Sequence, residues 1–171
     1  MEKSSIFLVG PMGAGKTAVA KRLATALQLT RWDSDEVIQE RAGVSIEWIF
    51  EQEGEAGFRQ REMRVIDELT RLPHIVLATG GGCVTQEQNR LHLKARGFVV
   101  YLQVSPDIQW ERVCRRRDHR PLLQVYDGPE KLATLTQSRV PWYEAVADRV
   151  YPTDHQSVHV LVEQIVLDFR G

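Results

Sequence analysis

The chain has 171 residues, of which 43% are hydrophobic and 26% are charged, and its formal net charge is −1. This length and composition suit one globular domain, in which about two-thirds of the unfolded surface becomes buried. The net charge is not positive, as it usually is in nucleic-acid-binding proteins. No apolar run approaches the ~18 residues that are needed to span a bilayer. We therefore expect no nucleic-acid partner and no membrane partner.

The cysteines and the first residues bear on location. Cys83 and Cys114 are far apart and lack C-x-x-C spacing, so we predict two free thiols in a reducing compartment. The apolar run at residues 6–9 follows the first methionine too closely for a targeting segment. The expected location is cytoplasmic.

Short apolar strands and amphipathic helices alternate along the chain. The strands are predicted at residues 6–9, 31–33, 75–78, 98–104 and 149–151. The helices are predicted at 15–28, 35–42, 46–72 with a break near Gly54, 86–96, 106–115, 130–147 and 157–169. Gly43 and Gly97 follow two helices, and Ser45 and Ser157 can cap two others. The alternation predicts an α/β fold with a mainly parallel sheet and right-handed crossovers.

Residues 115–128, here called the lid segment, interrupt this pattern. They are first basic and then contain proline and glycine, without a clean periodicity. In this fold class such a segment is a candidate for a lid that closes over the site. Since no linker or repeat divides the chain, we predict a single domain over residues 1–171.

The first chemical motif is the phosphate loop, residues 10–17, which matches G-x-x-x-x-G-K-[ST] between a predicted strand and a predicted helix. Backbone N–H groups of such a loop surround phosphates, and the helix N-terminus adds partial positive charge. Lys16 is expected to reach the β- and γ-phosphates, and the Thr17 hydroxyl to bind Mg²⁺. The chain lacks the Asn-Lys-x-Asp guanine reader of GTPases and is small for an ATPase motor. A small-molecule kinase remains.

A series of shorter motifs follows the phosphate loop. In chain order they are Asp33-Ser34-Asp35, Phe58-Arg59-x-x-Glu62, Gly80-Gly81-Gly82, Arg120-Pro-Leu-Leu and Arg139-x-Pro-x-Tyr143. This series resembles the shikimate kinase family, from about Ile6 to the last helix. The resemblance implies a three-layer α/β/α P-loop fold like that of nucleoside-monophosphate kinases, with five parallel strands in the order 2-3-1-4-5. It also implies transfer of the ATP γ-phosphate to the 3-hydroxyl of shikimate, in aromatic amino-acid biosynthesis.

The resemblance assigns the acceptor side, with a substrate-binding region at about residues 33–62. Asp35 would hydrogen-bond the ring hydroxyls and accept the attacking proton. Arg59 and Arg139 would grip the substrate carboxylate, which suits the planar guanidinium fork. Gly81 would donate its N–H group to the substrate. The other implied contacts are Phe58, Glu62 as the residue that orients Arg59, and Gly80 and Gly82 at the pocket floor.

Simpler roles stay open for several of these residues. Asp33 and Asp35 could be a solvated pair at a helix N-terminus. The glycines could form a plain flexible loop, although three in succession are costly in chain entropy. Phe58 could be an ordinary core residue.

The resemblance also assigns the nucleotide side, with ATP and Mg²⁺ as cofactors. The implied nucleotide contacts are Gly13, Ala14, Gly15, Lys16, Thr17, Ala18, Arg112, Arg120 and Gln156. The implied catalytic residues are Lys16, Asp35 and Arg120, and Arg120 would neutralise charge on the transferring phosphoryl group. Arg112 would stack on adenine opposite residues 153–156. Thr17 would bind the metal directly and Asp33 through water. Ala18 replaces the family's usual Ser or Thr, which removes one hydroxyl contact to the α-phosphate.

Two other functions fit parts of the sequence. A gluconate kinase of the same fold would also bind an acid with arginines, but it would not need the glycine triplet and R-x-P-x-Y together. A non-catalytic relative could keep the fold as a binding module. Six intact site residues argue against it: Lys16, Asp33, Asp35, Arg59, Arg120 and Arg139. Without a long apolar surface stripe, we expect a monomer.

Overall fold

The computed structural model describes residues 2–116 and 128–171. Arg120 and most of the lid segment lie outside the described residues. The strands are β1 (Ile6–Val9), β2 (Thr30–Asp33), β3 (Ile75–Ala78), β4 (Phe98–Gln103) and β5 (Arg149–Pro152). The helices are α1 (Lys16–Leu27), α2 (Ser34–Ala42), α3 (Ile46–Leu69), α4 (Glu87–Arg96), α5 (Pro106–Arg115), α6 (Pro129–Val146) and α7 (Val158–Arg170). A short 3-10 turn, Cys83–Thr85, precedes α4.

The five strands form one parallel sheet in the order β2-β3-β1-β4-β5, which confirms the predicted topology. Every residue of β1 and β3 is buried. Helices cover both faces of a parallel sheet, so its central strands are apolar on both faces and read as continuous hydrophobic runs. The edge strands β2 and β5 are partly exposed and correspondingly more polar.

The sheet and the helices on its two faces form three layers, and a large apolar cluster lies at each of the two boundaries between them. Phe7 and Val9 of β1 belong to the cluster formed with α2, α3, α4 and α6. Ile6 and Leu8, which alternate with them, belong to the cluster formed with α1 and α7. Successive side chains of a strand point to opposite faces, so one four-residue strand supports both layers.

The residues at the helix ends act largely as predicted. The hydroxyls of Ser45 and Ser157 accept the backbone N–H groups of α3 and α7 at 3.1 and 3.2 Å. Gly43 ends α2 with φ 71°, and Gly54 interrupts α3 with φ 71° and ψ −178°. Gly97 ends α4 with φ −154°, which is extended and open to any residue. It is a glycine for lack of space, because a Cβ atom there would lie 2.4 Å from the Phe7 ring.

The predicted bounds of β1, β3 and α5 match the observed ones, and the ends of the other elements differ by at most three residues, as is usual for helix and strand termini. Within residues 2–116 and 128–171, we find no helix with both the length and the apolar character needed to cross a membrane.

Candidate active site

The described residues of the predicted site meet at the carboxyl edge of the sheet. The phosphate loop follows β1, Asp33 ends β2, Gly80 follows β3 after one residue, and Thr153 follows β5. The carboxyl ends of parallel strands lie at one edge of a sheet, which is where α/β folds bind their ligands. The topology thus gathers motifs that are far apart in the sequence.

Side chains fix the carbonyl groups of the phosphate loop. Lys16 Nζ donates to the carbonyls of Gly10 and Pro11 at 2.5 and 2.9 Å. Gln109 Nε2 donates to the Met12 carbonyl at 2.9 Å. The Gln109 side chain is buried on α5, and the sequence analysis did not single it out. Its only signal in the sequence is a polar residue one turn before the buried Val113 on an amphipathic helix.

Arg112 joins the phosphate loop to the loop after β5. Its guanidinium donates to the Gly13 carbonyl at 3.1 Å, to the Thr153 hydroxyl at 3.0 Å and to the Thr153 carbonyl at 2.8 Å. The phosphate loop was predicted to surround the phosphates, and residues 153–156 were predicted to form the wall opposite Arg112 around adenine. Gln156 is exposed in the same loop as Thr153. Stacking of Arg112 on adenine and contact with Gln156 stay predictions.

The glycine triplet, residues 80–82, has another residue pressed against each of its members. A Cβ atom on Gly80 would lie 2.8 Å from Asp35 Oδ1 and 3.0 Å from Glu62 Oε2. On Gly82 it would lie 2.3 Å from Arg59 Nη2. Close approach by charged side chains therefore accounts for Gly80 and Gly82, rather than a need for a flexible loop.

Gly81 is where the triplet meets the phosphate loop. A Cβ atom on Gly81 would lie 3.3 Å from the backbone nitrogen of Met12. The Tyr143 hydroxyl donates to the Gly81 carbonyl at 2.5 Å. The R-x-P-x-Y motif thus connects α6 to the triplet through its tyrosine.

Arg59 and Glu62 form a buried ion pair beside the triplet. Arg59 Nη1 donates to Glu62 Oε1 at 2.8 Å, one turn along α3, so the predicted contact between them is present. Glu62 is fully buried, and burial raises its pKa to about 7; Arg59 and Arg139 lower that pKa, and Asp35 raises it. Two arginines and two carboxyls therefore converge on this part of the site.

The contacts of Phe58 and Asp33 favour the simpler structural roles that the sequence left open for them, in the core and at a helix N-terminus. Phe58 is buried, and its ring centroid lies 4.7 Å from that of Phe50, so it is a core residue. Asp33 caps α2, where its Oδ1 atom accepts the N–H groups of Asp35 and Glu36 at 2.9 and 3.2 Å. Burial raises the pKa of Asp33, while the Glu36 N–H group lowers it. Neither contact prevents a second role toward a ligand.

A further residue of the D-x-D motif positions the triplet. The Ser34 hydroxyl is fully buried between Asp33 and Asp35 and accepts the Gly80 N–H group at 3.1 Å. The motif was predicted for its two carboxylates, and the serine between them was missed. This bond holds the start of the triplet against the start of α2.

Comparison with known proteins gives the family. The family model described as shikimate kinase matches residues 12–170. The shikimate kinase of Actinobacillus succinogenes is 54% identical over 166 residues, which are 96% of this chain and 94% of that protein. The shikimate kinase of Pasteurella multocida is 50% identical over 166 residues, with coverages of 96% and 94%.

Solved structures agree with these sequence matches. The shikimate kinase of Acinetobacter baumannii in complex with shikimate has a TM-score of 0.93 at 45% identity, covering 98% of this chain and 93% of that one. The shikimate kinase of Aquifex aeolicus has a TM-score of 0.80 at 29% identity, with coverages of 98% and 96%.

Proposed function

Because the chain belongs to the shikimate kinase family, whose members use ATP to phosphorylate shikimate, we propose that it performs this reaction where the phosphate loop meets the glycine triplet. The supporting observation is the contact of Gly81 with the Met12 backbone, described above. It brings a phosphate-binding loop against a pocket of arginines and carboxyls. In-line phosphoryl transfer needs its donor and its acceptor to be adjacent in this way.

On the acceptor side, we assign the shikimate carboxylate to Arg59 and Arg139. Arg59 is held by Glu62, so its guanidinium is already oriented before substrate binds, which reduces the entropy lost on binding. Asp35 lies in the first turn of α2 with its carboxyl beside Gly80, where it can accept the proton of the 3-hydroxyl. Gly81 would donate its N–H group to the substrate, with Gly80 and Gly82 leaving room for the charged side chains.

On the donor side, we assign the phosphates to Lys16 and the amides of residues 13–18. Lys16 Nζ would exchange its bonds with the carbonyls of the loop for bonds with the β- and γ-phosphates. Phosphoryl transfer leaves little covalent work to the protein, so this positive charge acts by stabilising the transition state. Arg120 stays a predicted catalytic residue outside the described residues.

The donor set fits Mg²⁺. Thr17 and Asp33 offer a hydroxyl and a carboxylate, which are the hard oxygen ligands that Mg²⁺ prefers, and Mg²⁺ keeps several of its waters in proteins. Both capping bonds of Asp33 use Oδ1. The ion would be held by Thr17 directly and by Asp33 through water. When bound, it would neutralise charge on the β- and γ-phosphates.

A coupled assay of ADP release tests the reaction. Purified enzyme with ATP and Mg²⁺ is given shikimate, gluconate or no acceptor in parallel. Release that depends on shikimate alone is expected. Release with gluconate would support the gluconate kinase alternative, and no release with any acceptor would support a non-catalytic binding module.

We also propose that the chain works as a cytoplasmic monomer and as one kinase domain. The sequence has no long apolar surface stripe, which supports a monomer. Analytical ultracentrifugation with and without ligands tests the oligomeric state, and cell fractionation tests the location.

A further inference from the structure

The carbonyls of four successive residues, 81–84, each accept a hydrogen bond from a side chain. The donors, in the order of these carbonyls, are the Tyr143 hydroxyl at 2.5 Å, the Thr85 hydroxyl at 2.8 Å, Asn89 Nδ2 at 2.9 Å and Arg90 Nη1 at 2.7 Å. Asn89 and Arg90 are consecutive residues of α4. They lie outside every motif that defines the site.

These bonds determine where the N–H groups of the triplet point. In a planar trans peptide, the N–H group points opposite to the carbonyl of the preceding residue. Because the Gly81 carbonyl is directed to the buried Tyr143, the Gly82 N–H group is directed away from the core. Within the described residues, neither Gly81 nor Gly82 donates its N–H group to a protein acceptor. Both N–H groups are thus available for a ligand beside Arg59.

Three successive glycines give the most flexible backbone that a chain can have, whereas a binding loop must hold one conformation. The 3-10 turn that follows the triplet supplies the rigidity only if it is itself fixed. Asn89 fixes its first carbonyl, that of Cys83, and Arg90 fixes its second, that of Val84. Together with Ser34 and Tyr143, which bond to the triplet directly, α4 therefore contributes to its stiffness through the turn that follows it.

Packing alone does not explain Asn89. Its side chain is fully buried, and its Oδ1 atom has no hydrogen-bond partner in the part of the chain that the structure describes. A buried amide with an unpaired oxygen destabilises a fold relative to an apolar side chain of the same shape. The favourable contribution of the Asn89 amide at this position is therefore its hydrogen bond from Nδ2 to the Cys83 carbonyl.

We propose that Asn89 and Arg90 are positioning residues of the shikimate site. They act through the carbonyls of Cys83 and Val84, which hold the N–H groups of Gly81 and Gly82 toward the substrate. This inference rests on the proposed function and deepens it. Their bonds go to the turn after the triplet and not to the phosphate loop, so we expect their loss to weaken shikimate binding and to leave ATP binding unchanged.

The test uses Asn89→Leu and Arg90→Met, which remove the donors and keep the approximate shape. We expect the KM for shikimate to rise about tenfold in each, as for the loss of one hydrogen bond, with the KM for ATP within twofold of wild type. Arg90→Lys keeps a charged donor and should restore part of the loss.

Arg96→Met is the matched control on the same helix. Arg96 joins α4 to the end of α3 through the Asp67 carbonyl and the Thr70 hydroxyl, away from the triplet. It should lower Tm without changing either KM. If Asn89→Leu does not fold, the comparison of Arg90→Met with Arg90→Lys decides.

Two results would overturn the inference alone: shikimate KM values within twofold of wild type, or equal rises in both KM values. A wild-type enzyme that does not phosphorylate shikimate would overturn the proposed function, and this inference with it.

Discussion

The phosphate loop and the glycine triplet lie against each other and are both rich in glycine, but they need glycine for different reasons. Gly15 in the phosphate loop has φ 94°, and among the described residues nothing beyond its chain neighbours lies within 4 Å of the position of a Cβ atom. Gly82 in the triplet has an ordinary φ of −99°, yet a Cβ atom would collide with Arg59. The first glycine is required by backbone conformation and the second by space. A glycine in a sequence motif can thus reflect either a positive φ angle or a lack of space for a side chain.

The two loops also differ in what holds them. Two carbonyls of the phosphate loop accept from its own Lys16, and two more accept from Gln109 and Arg112 of α5. Three of the four carbonyls at residues 81–84 accept from side chains of α4 and α6, outside the loop. The phosphate loop thus carries part of its own support within its motif, whereas every side-chain donor to the carbonyls of residues 81–84 lies outside the triplet.

The largest expected effect tests the phosphate loop. Lys16→Ala removes the charge that stabilises the transferring phosphoryl group and also frees the carbonyls of Gly10 and Pro11. We expect kcat to fall by at least ~10³ with the fold retained. Steady-state kinetics and circular dichroism measure these outcomes. Lys21→Ala, an exposed lysine on the same helix, is the control and should keep wild-type activity. A Lys16 variant with a tenth of wild-type activity would refute the assigned role.

The second test compares Gly82→Ala with Gly15→Ala. Alanine at Gly82 must displace the Arg59 guanidinium, and we expect the KM for shikimate to rise about 100-fold, as for a misplacement on the order of 1 Å. Alanine at Gly15 strains the backbone by about 1–2 kcal/mol and should weaken the binding of ATP rather than that of shikimate. Kinetics with each ligand varied in turn measure both effects.

The control for this pair is Gly43→Ala, which has φ 71° and open space but lies at the end of α2. It should lower the free energy of unfolding by about 1–2 kcal/mol and leave both KM values unchanged. If Gly15→Ala and Gly82→Ala weakened the same ligand, the distinction between the two loops would be wrong.

A smaller effect is expected for Arg139→Lys. A lysine keeps the charge but cannot make the bidentate contact of a guanidinium with a carboxylate. We expect shikimate to bind about tenfold more weakly and ATP to bind as in wild type, measured by calorimetric titration of each ligand. If the binding of both ligands weakened equally, Arg139 would have to be assigned to the nucleotide-binding side of the site.

The last test concerns stability rather than catalysis and uses Glu62 and pH. Burial raises the pKa of Glu62 from 4.5 to about 7, with Arg59 lowering it. Between these values the unfolded chain has lost a proton that the folded protein still holds. The unfolding free energy should therefore fall as pH rises through this window, by at most about 1.4 kcal/mol per pH unit. Denaturant unfolding at several pH values measures this slope.

Glu62→Gln carries no proton to lose, so its unfolding free energy should lack this part of the slope. Parallel pH curves for wild type and variant would show that Glu62 is already ionised throughout. The ion pair with Arg59 would then outweigh burial in setting the pKa.

The fold was largely predictable because its signals are local. The apolar runs of β1 and β3 and the serine caps of α3 and α7 each lie within a few residues. The strand order depends on packing between distant segments, and only the resemblance to a family supplied it. The 3-10 turn at Cys83–Thr85 was missed because three residues are too few to show a period.

The site was predictable where a motif touches the ligand and not where a residue acts on the backbone. Gln109, Asn89 and Ser34 are buried polar residues that bond to backbone groups of the two loops. A backbone carbonyl or N–H group is the same in every residue, so no spacing rule reveals its partner. Their one common signal is a polar side chain on an otherwise apolar face, which a sequence cannot distinguish from a surface residue.

The two cysteines have a practical consequence for chemical labelling. Cys83 lies in the 3-10 turn after the triplet, fully buried, and burial raises the pKa of its thiol to about 12. The thiolate is the reactive form, so maleimides and oxidants have almost no nucleophile there at neutral pH. Cys114 is exposed near the end of α5, just before the lid segment. A fluorophore can therefore be attached at one defined position of the native sequence, within a few residues of the predicted lid and without engineering the site itself.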